Sequence, residues 1–224
     1  MIKFLKSMYF DPNFMSKLDT SPHLLPIKTN KVINLKTLEI TNRKKSHFFS
    51  YELDVEFVKK TPKADLYFSQ LMCEDKEKTK YFKKCLGYCI TGEVTAKSFF
   101  ILIGPDGDNG KSTLISEVLM PIFGNKFITN IKRKVLFDMG NQSKNEDEMA
   151  KDMAKLVGKR IAICNEPSDG LTMNESEIKA ITGNDLAQAK KLYRDPFDFI
   201  PIVKIMILTN KYVKFDDTSN EEEM

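Results

Sequence analysis

The 224-residue sequence lacks the features that would assign it to a membrane, secreted or metal-binding class. No apolar run approaches the roughly 20 residues that a bilayer-spanning helix needs. The N-terminus has no long apolar stretch and no small-residue cleavage site, so no secretion signal is expected. No Cys-x-x-Cys pair occurs, which favours reduced core thiols in an intracellular protein at the four cysteines, Cys73, Cys85, Cys89 and Cys164.

Internal repeats and low-complexity linkers are also absent. Apolar residues make up 42% and charged residues 29% of the chain, which is an ordinary globular composition. The formal net charge of +4 conceals an acidic end, because the last nine residues contain five acids and no base, so residues 1–215 sum to +9. A mildly basic body permits an anionic partner without identifying one.

The order of elements predicts an α/β fold. Two short apolar segments, 24–28 and 32–35, flank a polar turn and predict a β-hairpin, and residues 63–90 show helical periodicity ending near Gly92. Buried strands are then predicted at 99–103, 160–164 and 203–208, with a further short strand at 127–129. Helices lie between them, which predicts a parallel sheet with right-handed crossovers.

Local sequence also predicts where these helices begin and end. The first should start near Lys111 and end by Pro121 and Gly124. The next two helices should begin after Asn145 and Asn174, since each asparagine is followed three positions later by a glutamate, Glu148 or Glu177, as in a helix-capping motif. Gly158 should end the first of these two helices.

The segment between the first buried strand and its helix is typical of a phosphate-binding loop. It reads Gly104-Pro105-Asp106-Gly107-Asp108-Asn109-Gly110-Lys111-Ser112-Thr113. Glycines let backbone N–H groups curl around phosphates, which also gain from the positive end of a helix dipole. Lys111 would neutralise the β- and γ-phosphates, and the Ser112 hydroxyl would bind Mg²⁺. The strict spacing places glycine at position 105, so the alternative is a glycine-rich turn whose lysine is incidental.

Polar residues follow two later strands. Glu166 follows the strand at 160–164 and could polarise an attacking water. Asn210 follows the last strand and could hold the γ-phosphate or the water. Each alone is a weak indication, because strands often end in a polar turn residue.

The stretch from Ile181 to Arg194 predicts a protruding hairpin. A Gly183-Asn184-Asp185 turn precedes a basic cluster that suits a phosphate backbone, formed by Lys190, Lys191 and Arg194. The alternative is a solvent-exposed hairpin edge whose lysines only prevent it from pairing with another strand.

These four features, in this order, resemble the superfamily 3 helicases, specifically the poxvirus-type helicase-primase branch of large DNA viruses and phages. Three segments have amino-acid sequences typical of that branch: the loop at 109–113, the stretch at 174–185, and Pro196–Phe199 before Thr209-Asn210. The likeness covers about residues 18 to 217, including the hairpin at 24–28 and the helix at 81–92 that resemble the domain preceding this core.

The resemblance implies an α/β, AAA+-like P-loop NTPase core with a parallel sheet at 96–224, preceded at 1–95 by a small, mainly helical domain with a β-hairpin. It implies an ATP-dependent DNA helicase of viral genome replication, with ATP and Mg²⁺ as cofactors. Single-stranded DNA is the implied partner, together with assembly into a hexameric ring or with a full-length helicase-primase. No membrane association is expected, and the implied location is intracellular, at sites of viral replication in the host cytoplasm.

Matching positions imply the roles of individual residues. Catalysis falls to Lys111, Glu166 and Asn210, and Mg²⁺ binding to Ser112 and Glu166. Nucleotide contacts are implied for Gly104, Asp106, Gly107, Asp108, Asn109, Gly110, Lys111, Ser112 and Thr113. DNA contacts in the ring pore are implied for Lys179, Lys190, Lys191 and Arg194.

The sequence departs from the family pattern at two places. Asn165 stands where many relatives have Asp or Ser, which weakens a role for this position in holding Mg²⁺. The family carries an arginine pair shortly after the sensor asparagine, whereas this sequence has no arginine after Arg194, and the primase half is absent. A truncated or split gene product is therefore expected.

Two alternatives remain open at this point. The chain could be a catalytically impaired fragment that binds nucleotide, DNA or full-length helicase subunits without efficient turnover. A small-molecule kinase sharing the phosphate loop is less favoured, because the sequence shows neither an arginine-bearing lid nor an acceptor pocket.

Overall fold

The structure, a computed structural model, describes residues 11, 14–104, 107, 109–138, 146–165 and 171–215. The chain divides into two compact units, Met1–Phe57 and Val58–Met224. The domain boundary predicted at residue 95 falls inside the second unit. The helices that precede the sheet therefore share a unit with it.

The first unit is built around a β-hairpin, as predicted. It comprises α1 (Phe14–Lys17), β1 (Leu24–Ile27), β2 (Lys31–Asn34), β3 (Ile40–Asn42) and a 3₁₀ turn, Lys45–His47. The turn between β1 and β2 places Thr29 and Asn30 at φ 63° and 56°, the left-handed geometry that matches the twist of a tight hairpin. The third strand was not predicted, because all three of its residues are exposed and show no alternation of burial.

The second unit begins with two helices, α2 (Pro62–Leu71) and α3 (Lys76–Ile90), where the periodicity predicted one helical stretch. The break falls at Cys73 and Glu74, which both adopt positive φ. The Asp75 carboxylate then accepts a hydrogen bond from the backbone N–H of Lys78 at 2.9 Å and so caps α3.

The remaining strands confirm the α/β fold, with a core of the P-loop NTPase type. They are β4 (Phe100–Ile103), β5 (Ile128–Asn130), β6 (Ile161–Asn165), β7 (Ala187–Lys190), β8 (Pro196–Phe199) and β9 (Lys204–Thr209). Four of them form a parallel sheet in the order β4-β9-β6-β5. β7 and β8 form a separate antiparallel hairpin. The predicted positions of β4, β5, β6 and β9 are correct to within one residue.

Helices connect these strands. A helical run comprises α4 (Lys111–Thr113), a π-helical segment Leu114–Leu119 and α5 (Met120–Phe127); it is followed by α6 (Arg133–Leu136), α7 (Glu146–Met153) and α8 (Glu175–Thr182). The predicted end at Pro121 is wrong, because proline is tolerated in the first turn of α5. Gly124 does leave the helical conformation, at φ 59° and ψ −172°.

The other predicted helix ends have mixed outcomes. The Asn174 side chain accepts a hydrogen bond from the backbone N–H of Glu177 at 3.3 Å, which confirms the cap of α8. Gly158 adopts φ 71°, as a helix-terminating glycine should. The predicted cap Asn145 lies outside the described residues.

The core surrounds β6 and β9. Every residue of β9 is buried, and β6 is buried from Ile161 to Cys164, as expected for strands covered on both faces. Burial raises the pKa of the Cys164 thiol to about 11 and that of Cys89 to about 12, so both stay protonated. Cys73 is exposed in the α2–α3 turn, and the prediction of a core thiol is wrong there.

Two buried cations join α3 to the start of the sheet. Lys204 is 1% exposed, and its Nζ donates to the backbone carbonyls of Thr91, Glu93 and Ile202. Arg160, 3% exposed, donates to the Ile90 carbonyl at 2.6 Å. Carbonyls at a helix C-terminus have no intrahelical partner and carry the negative end of the helix dipole, so cations satisfy them well.

Replacing Lys204 should destabilise this junction. Lys204→Met keeps the apolar stem but removes the donor from three partly buried carbonyls, so we expect the free energy of unfolding to fall by about 1–3 kcal/mol. Urea unfolding monitored by circular dichroism would measure the change. Lys151→Met, on the exposed side of α7, should change stability by about 0.5 kcal/mol or less. Equal effects of the two variants would contradict the assignment.

The same residue should give stability a pH dependence. Burial lowers the pKa of Lys204 to about 7, below the ordinary lysine value of 10.5. Between these pH values the unfolded chain binds more protons than the folded one, so the free energy of unfolding should rise as the pH is raised through the window. This rise should be smaller in Lys204→Met, and parallel pH profiles of the two proteins would refute the prediction.

Candidate nucleotide-binding site

The glycine-rich loop leaves the carboxyl end of β4 and enters the long helical run. The Gly104 N–H donates to the Thr209 carbonyl at 3.1 Å, which extends the pairing of β4 with β9 by one residue. Gly110 precedes the helix at φ 74°, a left-handed conformation that favours glycine, and its carbonyl accepts from the Leu114 N–H at 2.9 Å. The loop thus has the strand–turn–helix context that the sequence predicted.

Lys111 folds back over this loop. Its Nζ donates to the Gly104 carbonyl at 3.1 Å and to Asn109 Oδ1 at 2.5 Å. A Cβ atom at Gly104 would lie 2.2 Å from Asn109 Oδ1 and 2.5 Å from Lys111 Nζ. Glycine at 104, one place before the position of the strict pattern, leaves the space that the Lys111 ammonium and the Asn109 side chain occupy.

A cavity of about 810 Å³ opens beside the loop. Six of the predicted nucleotide-binding residues line it: Gly107, Asn109, Gly110, Lys111, Ser112 and Thr113. Asn165 and Asn210 line it from the sheet. Ligands of open parallel α/β sheets bind at this edge, outside the carboxyl ends of the strands.

Strand pairing explains why the two asparagines reach the cavity. β9 lies between β4 and β6, and all three strands run parallel, so their carboxyl ends share one edge. Asn165 ends β6 opposite Leu208. The Thr209 hydroxyl donates to the Lys211 carbonyl at 2.9 Å and accepts from its N–H at 3.1 Å, which forms a tight turn around Asn210.

Three predicted site residues, Asp106, Asp108 and Glu166, lie outside the described residues. Glu166 directly follows Asn165 in the chain. The roles of all three stay predictions. Within the described part of the chain, no group of three His, Cys, Asp or Glu residues could hold a metal ion.

Sequence reasoning missed one neighbour of the loop. Leu71, at the end of α2, places its Cδ1 2.9 Å from the position that a Cβ on Gly110 would take. This side chain comes from a helix about forty residues earlier, so no local pattern indicated the contact. The φ angle of Gly110 favours glycine, and a larger residue there would also require the Leu71 side chain to shift.

A hairpin that carries the basic cluster is formed by β7 and β8, at 187–199 rather than at the predicted 181–194. Ile181 and Thr182 end α8, and the predicted turn Gly183-Asn184-Asp185 precedes β7. Ala187 and Ala189 of β7 are buried. Residues 191–195, which connect β7 to β8, and Pro196, the first residue of β8, are exposed. Lys191 and Arg194 lie in this exposed tip, together with Tyr193, which is 96% exposed and was not predicted. The other two predicted cations are paired with acids: Lys190 with Asp147 at 2.8 Å and Lys179 with Glu175 at 2.9 Å.

A mimivirus protein is similar to nearly all of the chain. It is named "Putative helicase L207/L206" and comes from Acanthamoeba polyphaga mimivirus. The two are 25% identical over 224 residues, which cover 97% of this chain and 23% of the relative. The chain thus spans about a quarter of the length of this relative.

Solved structures of the NrS-1 C-terminal region, in its apo form, share the fold. One has a TM-score of 0.56 at 16% identity and is matched over 87% of this chain and 42% of its own. Another has a TM-score of 0.55 at 17% identity, over 78% of this chain and 41% of its own. At these identities the likeness concerns the fold alone.

A protein-family model matches the chain from the last two residues of β4 almost to the C-terminus. The match runs over residues 102–223, which is more than half of the chain, and includes the cavity-lining residues and both asparagines. By this match, the chain belongs to the family described as "Family of unknown function (DUF5906)".

Proposed function

We propose that the chain is the nucleotide-binding core of an ATP-dependent DNA helicase of superfamily 3, of the poxvirus-type helicase-primase branch. One observation carries the proposal: Lys111 begins a helical run at the strand edge where Asn165 and Asn210 also line the cavity. The name of the mimivirus relative and the fold shared with the NrS-1 region support it.

ATP would bind with its phosphates in the loop. Backbone N–H groups and the start of the helical run supply hydrogen bonds and positive potential. The Lys111 ammonium would exchange its contacts with Asn109 and the Gly104 carbonyl for phosphate oxygens, which are stronger, charged acceptors. The empty Cβ space at Gly104 lets lysine and backbone stay close during this exchange.

Three side chains would serve hydrolysis. The Ser112 hydroxyl fits a Mg²⁺ ligand, and Mg²⁺, mostly held by phosphate oxygens and water, would neutralise charge on the transferred group. Glu166 is proposed to polarise the attacking water, and Asn210 to bind the γ-phosphate or orient that water. Asn210 already lines the cavity from the strand beside β4.

Movement on single-stranded DNA would use the tip of the β7–β8 hairpin. Lys191 and Arg194 are exposed there for phosphate contacts, and Tyr193 offers an accessible ring for base stacking. Assembly into a ring, and a place in viral genome replication within the host cytoplasm, complete the proposal. None of the helices among the described residues is long and apolar enough to cross a membrane.

The phosphate loop is tested by Lys111→Ala. Removing the cation that faces the phosphates should lower Mg-ATP affinity by about 10²-fold or more, equivalent to about 2.7 kcal/mol. Isothermal titration calorimetry measures this directly. Lys126→Ala, an exposed lysine on α5, should bind like the wild type. Unchanged affinity in Lys111→Ala would refute the nucleotide site.

Gly104→Ala tests the close approach of lysine to backbone. The new methyl group would displace Lys111 Nζ and Asn109, so we expect about tenfold weaker Mg-ATP binding, or about 1.4 kcal/mol. Gly87→Ala is the matched control, since a Cβ there meets no atom within 4 Å. It should leave binding unchanged and stabilise α3 by roughly 0.5–1 kcal/mol. Equal nucleotide affinities in the two variants would show that the predicted clash is absent.

The hairpin is tested by replacing both exposed cations at its tip. The double variant Lys191→Ala, Arg194→Ala should weaken single-stranded DNA binding and reduce its dependence on log salt by about 1.4 in slope, at about 0.7 per lost charge. Fluorescence anisotropy over a salt series gives this slope. Lys179→Ala should have a smaller effect, because Glu175 already neutralises that lysine. A larger effect at Lys179 would contradict this assignment of the DNA contact.

A further inference from the structure

A lysine-lined groove lies between α2 and α3, apart from the nucleotide cavity. Its volume is about 530 Å³, and its lining consists of Ser69, Lys76, Thr79, Lys80, Lys83 and Lys84. Every lining residue is a lysine or carries a hydroxyl group. No residue of this groove belongs to the site or the hairpin described above.

Helical spacing places the lysines of α3 together. Lys76, Lys80 and Lys84 are four residues apart, so they form one row about 12 Å long on the helix surface. All three are exposed. Like charges at this spacing destabilise a helix by roughly 0.2–0.5 kcal/mol per pair. A bound polyanion would offset this repulsion by its attraction to each lysine.

Two nearby acids, Asp65 and Asp75, pair with lysines outside this row. Asp65 pairs with Lys83 at 2.5 Å, and that ammonium also lies 5.6 Å from the centre of the Phe68 ring. Asp75 caps α3 and pairs with Lys78 at 3.3 Å. Across the described ranges, none of the lysines at 76, 80 and 84 has an acidic partner. Three positive charges in the groove are therefore available to a ligand.

We propose that this groove binds the phosphate backbone of a nucleic acid, as a second contact surface besides the β7–β8 hairpin. This inference rests on the proposed function for the class of ligand. Compact ammonium groups on flexible stems bind phosphates as point charges, and the hydroxyl groups of Ser69 and Thr79 add hydrogen-bonding capacity. The lining residues include no aromatic side chain for base stacking, so binding is independent of base sequence and strongly dependent on salt.

The test measures the salt dependence of DNA binding by the full chain without nucleotide. A triple variant, Lys76→Gln, Lys80→Gln and Lys84→Gln, is compared with the wild type by anisotropy of a labelled single strand and of a labelled duplex. Loss of three phosphate contacts should reduce the log–log slope by about 2 on the single strand and by about 2.7 on the duplex. A smaller slope on the single strand or on the duplex identifies which of the two DNA forms the groove binds.

A charge-conserving control separates electrostatics from folding. The corresponding triple Lys→Arg variant should keep the wild-type slope, and thermal unfolding should show both variants folded. If the Gln variant keeps both wild-type slopes, the inference is wrong. It is also wrong if the Gln variant loses only its binding to a polyglutamate peptide, since the groove then serves an acidic protein segment.

The outcomes also separate this inference from the function on which it rests. If the hairpin variant loses DNA binding and the groove variant binds like the wild type, only the inference about the groove is wrong. Wild-type protein that binds Mg-ATP but neither DNA form overturns the proposed helicase role together with the groove. Loss of slope in both the groove and the hairpin variants supports two contact surfaces.

Discussion

The pairing of β9 between β4 and β6 is the constraint on which the rest of the site depends. β9 is buried along its whole length, so its backbone hydrogen bonds are made with the two flanking strands, both parallel to it. Parallel pairing brings three strand ends to one edge, where the Gly104 N–H continues the ladder onto Thr209. Residues far apart in sequence thereby meet around a single cavity. Without this register, the lysine and the two asparagines would not line a common cavity.

The opposite end of the same strand secures the helices that precede the sheet. Lys204 begins β9 and, with Arg160 before β6, donates to the Thr91 and Ile90 carbonyls at the end of α3. At its other end, this helix pair brings Leu71 against Gly110 of the glycine-rich loop. The α2–α3 pair therefore contacts the start of the central strands at one end and the glycine-rich loop at the other, and it also carries the lysine groove. Its placement in the same unit as the sheet follows from these contacts.

Local sequence predicted the elements well where burial and capping decide them. Continuous apolar runs marked β4, β6 and β9, and the cap at Asn174 formed as predicted. The errors arose where a local rule permits two outcomes. Proline ends a helix in its interior but is tolerated in its first turn, and Pro121 occupies the second situation. β3 had no apolar alternation to predict it, since it is held by backbone pairing to β2 while its side chains face solvent.

The sequence by itself determined the α/β class, the position of the glycine-rich loop and the residue types that we propose bind a triphosphate, because periodicity and glycine spacing are local properties of the chain. Only the tertiary structure decided which distant residues are neighbours. It paired Lys190 and Lys179 with acids, left Lys191 and Arg194 exposed, and buried Lys204 under three carbonyls. A lysine is the same residue in sequence at all these positions. Its charge acquires a role only from the groups that folding brings within a few ångströms of it.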